Sequence, residues 1–468
     1  MKTNYTTNKT LIFLLMLLIS QSVYGQFKTN RDESLNRNYG NNMVSSQIDS
    51  FDTKHYWLAA GEVIGTNLTV WGYHKFLTKE EWANIDFNTI KHNFETGFQW
   101  DYDGFEINQF FHPYHGAAYY NSARSNGLSF WESVPYALLG SFTWEFFMEN
   151  EAPSYNDIVN TPVSGIIIGE ISYRVSNLVI DESTSGIERF GREFLGTLIN
   201  PVQGVNRLFR GEMWRTSDKV KKHNVVTSIS IGANHIFYGR SLDNNHLYSM
   251  FRLDIEYGNK LEAEKHDKPF DYFNLHAEEN FTNGDNITGI FASGVLWDKK
   301  IDFLNSNQSV LGIYKELDIL INLVYKLSAT SVSGQFTRAD KLSGKLNWQN
   351  NLGLSVILLG ATNSEYSDIA GVNYNQGPGV SIKMSSQISL ADIGNLYFTY
   401  RKYWIHTLNG VDGNEFIGLL NIGSNINLFS NTKLGIEYLT YSRFGNYDNY
   451  LNTFTSNSAV RVFVKFNI

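Results

Sequence analysis

Between Phe111 and Arg174 the chain places an unusual density of side chains that can do chemistry. It reads Phe111-His112-Pro113-Tyr114-His115-Gly116, Asn121-Ser122-Ala123-Arg124-Ser125-Asn126-Gly127 and Trp131-Glu132, then Trp144-Glu145, Glu149, Ser154, Asn156-Asp157, Asn160, Glu170 and Arg174. Imidazoles and carboxylates offer general acid–base catalysis, and a guanidinium beside them offers a bidentate grip on a phosphate or carboxylate. His112, His115, Glu145 and Asp157 are therefore candidate catalytic groups, and Arg124, Asn121 and Asn160 candidate substrate-binding groups. Each also has a plainer use. Ser154 and Asp157 are spaced as a helix N-cap and its third residue, the pattern of a capping box. Glu170 precedes Arg174 by four residues, the favourable order for a helical ion pair. Glu132, Glu149, Glu170 and Arg174 are accordingly read as a structural polar cluster, because charges on helices that bury apolar faces must find partners. Gly165 and Gly169 would let another helix approach closely.

Several chemistries are excluded. The chain has no cysteine, which removes disulfide scaffolds, thiolate metal sites and a cysteine nucleophile. His112 and His115 with Glu145 or Glu149 have the ligand types for a metal, yet no His-Glu-x-x-His spacing exists and Pro113 argues against a regular helical histidine pair. No metal is expected. Gly140-Ser141-Phe142 is not a Gly-x-Ser-x-Gly elbow, and neither a phosphate-binding loop nor a dinucleotide fingerprint is present, so no cofactor is expected. With 38 Lys+Arg against 46 Asp+Glu, and the basic residues scattered, nucleic acid is not expected as a partner.

The elements that would carry these residues are helical. From Phe51 to about Arg215 apolar residues recur at three- and four-residue spacings, over His55–Leu77, Trp131–Phe147 and Ser154–Ile180. Five of the seven prolines (Pro113, Pro135, Pro153, Pro162 and Pro201) fall here and mark helix starts or kinks. No apolar run in this region reaches 18 residues, so no spanning helix is expected.

After His223 the period becomes two. In Phe251-Arg252-Leu253-Asp254-Ile255-Glu256-Tyr257 apolar and charged residues strictly alternate, as in a strand with one greasy and one wet face. About twelve such segments begin near 225, 247, 271, 286, 308, 321, 344, 379, 395, 415, 432 and 456, divided by Gly/Asn/Asp/Ser clusters. Spacing and an even count ending at Val460–Ile468 suit an antiparallel transmembrane β-barrel of about 12 strands, with a soluble β-sandwich or soluble barrel as the alternative. An aromatic fraction of 15% with only 18% charged residues agrees with a membrane surface.

The motifs His112-Pro113-Tyr114-His115-Gly116, Asn121 to Gly127, Trp144-Glu145 and Asn156-Asp157 resemble a bacterial family known as domain of unknown function 3943, whose members are envelope proteins without an established activity. The likeness extends weakly into the strands at Gly377-Pro378-Gly379. Asp157-x-x-Asn160 with Gly165 and Gly169 also resembles the helical core of VanZ-like envelope proteins, and this likeness carries no catalytic assignment.

Lys2, Lys9, the apolar run Leu11–Ile19 and Val23-Tyr24-Gly25 form an expected signal peptide over 1–25. A flexible polar linker is expected over 26–53, a helical plug or periplasmic cap over 54–215, and the barrel over 223–468. The expectation is an exported outer-membrane protein with a non-enzymatic structural or transport role. The alternative is an envelope enzyme modifying a lipid or glycolipid. Outer-membrane lipid and the barrel-assembly machinery are the expected partners.

Overall fold

The computed structural model describes residues 53–217, 224–237, 246–281, 286–303, 306–366 and 373–468. The expected signal peptide and almost all of the linker lie outside the described residues. The chain divides between His223 and Asn224 into two compact units.

Among the described residues the first unit holds seven α-helices: α1 (Tyr56–Gly72), α2 (Phe87–Thr96), α3 (His112–Arg124), α4 (Phe130–Phe147), α5 (Tyr155–Val179), α6 (Gly186–Ile199) and α7 (Pro201–Phe209). None is long and apolar enough to cross a membrane. Sequence signals mark the ends. Ser129 and Glu132 form a reciprocal capping box at α4, Pro201 opens α7, and Pro113 follows directly on a π-helical turn, Ile107–Phe111, that runs into α3. His112 and His115 both lie on α3 although Pro113, which argued against a regular helical histidine pair, stands between them. At the crossing of α3 and α5, a methyl group on Gly165 would lie 2.5 Å from the backbone carbon of Gly116. The two backbones touch there because neither residue has a side chain.

The second unit is a closed antiparallel barrel of twelve strands in which every strand pairs with its sequence neighbours and β1 with β12. The strands are β1 (Val225–Phe237), β2 (His246–Tyr257), β3 (Phe273–Phe281), β4 (Asn286–Phe303), β5 (Ser306–Ile321), β6 (Lys326–Lys341), β7 (Leu346–Asn363), β8 (Tyr374–Leu390), β9 (Gly394–His406), β10 (Gly413–Phe429), β11 (Thr432–Tyr447) and β12 (Thr453–Asn467). Two expected strand starts are corrected. The segment at 322–325 is a turn in which the Asn322 carboxamide accepts the N–H groups of Val324 and Tyr325, so β6 begins at Lys326. Strand β8 begins at Tyr374 and carries Gly377-Pro378-Gly379 opposite a bulge in β7 between Ile357 and Gly360, a place where a strand tolerates proline.

The barrel has its polarity reversed relative to a soluble one. Along β7, Leu352, Leu354 and Val356 are exposed while Gly353, Ser355 and Ile357 between them are buried. Ile422, Ile436, Val462 and Phe466 continue the exposed apolar band on β10 to β12. Ion pairs joining strands that are not neighbours in the wall, such as Arg252 with Glu437, identify the other face as the lumen. An apolar outer face and a polar inner one suit lipid as the surrounding solvent, which excludes the soluble sandwich. The fold is an α-helical region followed by an antiparallel transmembrane β-barrel.

Candidate functional site

The histidines are positioned by three segments. A short parallel bridge joins Gln99 to Ser154, with Gln99 N–H donating to Pro153 at 2.8 Å and Tyr155 N–H to Gln99 at 2.7 Å. It brings Asp101 and Asp103 to the start of α5, where the Asp101 N–H donates to the Asn156 carboxamide at 3.0 Å. Ser154 caps α5 by accepting from the Asp157 N–H at 3.1 Å. The expected capping box is only half made, because the Ser154 N–H donates to Glu145 of α4 at 2.7 Å instead of to Asp157. The Asp157 carboxylate accepts from Asn156 at 3.2 Å and lies beside His112 of α3.

There His112 Nε2 lies 4.0 Å from Asp157 Oδ1 and 3.8 Å from Asp103 Oδ2. Burial alone would lower the pKa of His112, but Asp157 and then Asp103 outweigh it and hold the pKa up to about 9. Burial raises the pKa of Asp157 to about 6 despite the attraction of His112. Glu145 is pushed well above the usual carboxylate range by burial and by Asp157, and Glu149 by burial and by Glu145. One charged imidazole thus sits beside carboxyls held at different protonation states, the arrangement from which acid–base pairs are built.

His115, one turn along α3, is set differently. Its ring packs 4.5 Å from Tyr119 and 4.9 Å from Trp144, and burial, followed by repulsion from His112 and His74, lowers its pKa to about 3. It is a neutral, packed ring. Tyr119 beside it donates to Asn67 of α1, and Trp144 Nε1 donates to Glu149 at 3.2 Å.

Arg124 does not join the histidines. It is 2% exposed and binds Glu170 through Nε at 2.7 Å and Nη2 at 3.2 Å, while Glu170 also accepts from Arg174 at 2.8 Å and Tyr120 at 2.8 Å. The Arg124 guanidinium lies 4.3 Å from the centre of the Tyr173 ring. This triad ties α3 to α5. Asn121 donates to Ser172 at 3.0 Å, and Asn160 donates to the Asn108 carbonyl at 2.6 Å and accepts from Ser164 at 2.6 Å. All three candidate substrate-binding groups are thus committed to helix packing. Of the expected structural cluster, Glu170 and Arg174 sit in this triad and Glu149 sits with the histidines. Glu132 belongs to neither, capping α4 at the surface and pairing with Lys54 at 2.9 Å.

Asp101 and Asp103 are site residues that sequence reasoning missed, while Asn156 stood in the dense stretch without an assigned role. The two aspartates precede a helix in an irregular stretch without a motif, and only their proximity to Gln99 in sequence could have drawn attention to them. No group of three or more His, Asp or Glu side chains converges as a metal site among the described residues.

The barrel lumen is a second concentration of polar groups. Arg252 binds Glu437 at 2.7 Å and Glu278 at 2.9 Å, Arg461 donates to Glu278 at 2.9 Å, and Tyr397 donates to Glu437 at 2.6 Å. Across the barrel Lys383 binds Glu316 at 2.9 Å and also Asp318, which accepts from Tyr403 at 3.0 Å. At the end away from the barrel termini, Ile236, Tyr248, Ile287, Leu320, Ile405 and Ile417 form an apolar layer, into which the 322–325 turn inserts Val324 and Tyr325. At the other end Lys260 from the β2–β3 loop reaches Gln335 at 2.6 Å and Asn351 at 2.9 Å.

Residues 97–202 match the family model of a domain of unknown function (DUF3943), a segment that contains both the histidine site and the Arg124 triad. The barrel half is similar to solved outer-membrane proteins. An outer membrane channel from Pseudomonas putida F1 is 11% identical, covering 53% of this chain and 97% of that one with a TM-score of 0.30. The outer membrane channel DcaP of Acinetobacter baumannii is 9% identical over 53% of this chain and 97% of that one, with a TM-score of 0.23. OmpT of Vibrio cholerae in its trimer form is 12% identical over 53% and 99%, with a TM-score of 0.21. No curated protein matches the chain.

Proposed function

We propose that this chain, which carries a DUF3943 domain ahead of an outer-membrane barrel, is a non-enzymatic structural element of the envelope, its barrel serving as an anchor and not as a conduit. The filled lumen carries the reading. Arg252, Glu278, Glu437, Arg461, Glu316 and Asp318 are each at most 5% exposed, so the middle of the barrel is packed with ion pairs made across it. The apolar layer and the inserted Tyr325 close the space toward one mouth. Twelve strands leave room for side chains, and here side chains take it. The exposed band ending in Val462 and Phe466 of β12 fits recognition by the barrel-assembly machinery and contact with outer-membrane lipid. Conductance across a planar bilayer tests the anchor. The full chain, with insertion verified by labelling a Leu451→Cys variant in the exposed β11–β12 loop, is expected to give no conductance steps; stepwise conductance from the wild-type protein overturns it.

A second reading, an envelope enzyme acting on a lipid or glycolipid, is favoured by one observation: His112 held charged between Asp157 and Asp103 while remaining 18% exposed at its side chain. Mass spectrometry of envelope lipids from wild type, a deletion and a His112→Gln strain of equal folded abundance decides it. A mass shift in the deletion that His112→Gln also shows supports the enzyme, and identical lipids in all three support the anchor alone.

A further inference from the structure

Helices α6 and α7 are folded with their charges inward. Arg189, Arg192 and Arg207 are 9%, 4% and 7% exposed, whereas Ile187, Phe190, Phe194 and Phe209 are 92%, 73%, 50% and 85% exposed. Their ion pairs fix this orientation. Arg207 binds Glu193 at 2.8 Å and Glu182 at 3.3 Å, Arg189 binds Glu193 at 2.6 Å, and the Arg189 and Arg192 guanidiniums also donate to the carbonyls of Asp181 and Val179. Rotating either helix to hide the phenylalanines would strip partners from three arginines. Ile187, Phe190 and Phe194 follow one helical stripe, and Val205, Leu208 and Phe209 continue it on the next helix.

We propose that this stripe lies in a phospholipid leaflet, with α6 and α7 as interfacial helices that sink their aromatic side chains roughly 5–10 Å into the boundary between headgroups and acyl chains. Two observations select lipid as the occupant. The stripe is continuous in the chain with an established lipid interface: ten residues lead from Trp214 to Val225 of β1, eleven steps that span at most about 40 Å. Its flank has the composition of a membrane boundary, with Trp214 70% exposed and Arg215 next to it. Among the described residues of α6 and α7 a single exposed acid, Glu188, stands at its edge and is paired to Arg192 at 3.0 Å.

The inference goes beyond the anchor reading and needs only that the barrel spans the bilayer. Because the chain has no cysteine, nitroxide labels at Phe190→Cys, Phe194→Cys and Leu208→Cys can be read in the full protein reconstituted in phosphatidylethanolamine/phosphatidylglycerol vesicles. These side chains lie outside the ion-paired interior of α6 and α7, and the labels at Phe190 and Phe194 remove only the stack between those two rings. Expected is stronger relaxation by oxygen than by a water-soluble nickel chelate at all three positions, as at the control Leu354→Cys on the barrel wall, with the order reversed at the turn control Asp392→Cys. Stronger relaxation by the chelate at the three positions overturns the proposal. Protection from both reagents also overturns it, by showing that protein covers the stripe. Conductance from the wild-type barrel would overturn the anchor and leave these readings unchanged.

Discussion

At His112 the energetics have a sign that a pH titration can read. The pKa of about 9 in the folded chain stands above an unfolded value near 6.5, so this residue contributes stability that is full below about pH 6.5 and lost as the pH rises through 9. Asp157 works in the opposite sense. Its pKa of about 6 exceeds the unfolded value near 3.9, so ionisation in place subtracts stability above pH 6 and acidification returns it. His115, lowered to about 3, loses stability as the pH falls below about 6.5. Between pH 6.5 and 9.5 only the His112 contribution changes among these three, so the stability of the helical unit, followed by hydrogen exchange of α3 amides, is expected to decline. His112→Gln should flatten that decline; an unchanged slope in the variant would assign it elsewhere. Arg124 calls for a different measurement. Removing one member of a buried ion pair leaves its partner charged and dry, which typically costs about 3–5 kcal/mol. Arg124→Met is therefore expected to lower the folded yield and the melting temperature, and full retention of both would show the triad to be dispensable. The sequence singled out both residues by type but could not divide them: the role of His112 depends on Gln99 pairing with Ser154 and on Glu145 taking the Ser154 N–H, and that of Arg124 on α3 meeting Glu170 of α5, contacts between segments that spacing along the chain does not encode.

Among the elements, α3 and α5 show what local pattern can convey. Gly165 four residues before Gly169 signalled a close helix approach, and the structure puts Gly116 against Gly165 and the Tyr120 ring against Gly169. A Gly165→Val variant forces the backbones apart, and the strain of overpacking is typically about 1–3 kcal/mol or more. A drop in thermal stability larger than that of Gly61→Val, where an added Cβ meets nothing within 4 Å, is the expected outcome. Equal losses at the two glycines would mean that helix propensity, and not packing, sets the cost. The strands were legible for a related reason. Alternation with a period of two survives wherever one face is wet and the other apolar, so most strand starts fall within a residue or two of the pattern. The exceptions are informative: Leu323-Val324-Tyr325 is apolar because it turns into the lumen, and β8 starts early because a bulge accommodates Pro378. Helices α6 and α7 escaped notice since their exposed face is apolar and their buried face charged, the reverse of what a search for buried catalytic charges assumes.

For the whole molecule, the barrel and the α6–α7 pair of the helical unit invert the usual distribution of polarity, and this explains why composition spoke for a membrane more clearly than for a reaction. In the barrel every strand closes its hydrogen bonds on another strand of the same unit, leaving no edge that needs the helices. Its interior charges likewise pair with one another, as Arg252 does with Glu278 and Glu437. These two facts make the barrel self-sufficient. A chain lacking residues 54–215 but retaining 1–53 and 216–468 is therefore expected to reach the outer membrane and to show the heat-modifiable gel mobility of a closed barrel. If that chain is degraded while the full protein is stable, the helical unit contributes to barrel assembly, and the two units must be treated as one folding problem. Charge-neutral replacement inside the barrel sharpens the comparison: Glu437→Gln removes a carboxylate that accepts from Arg252, Arg461 and Tyr397, and it should weaken the truncated and the full-length barrel equally, because every partner it loses lies in the lumen.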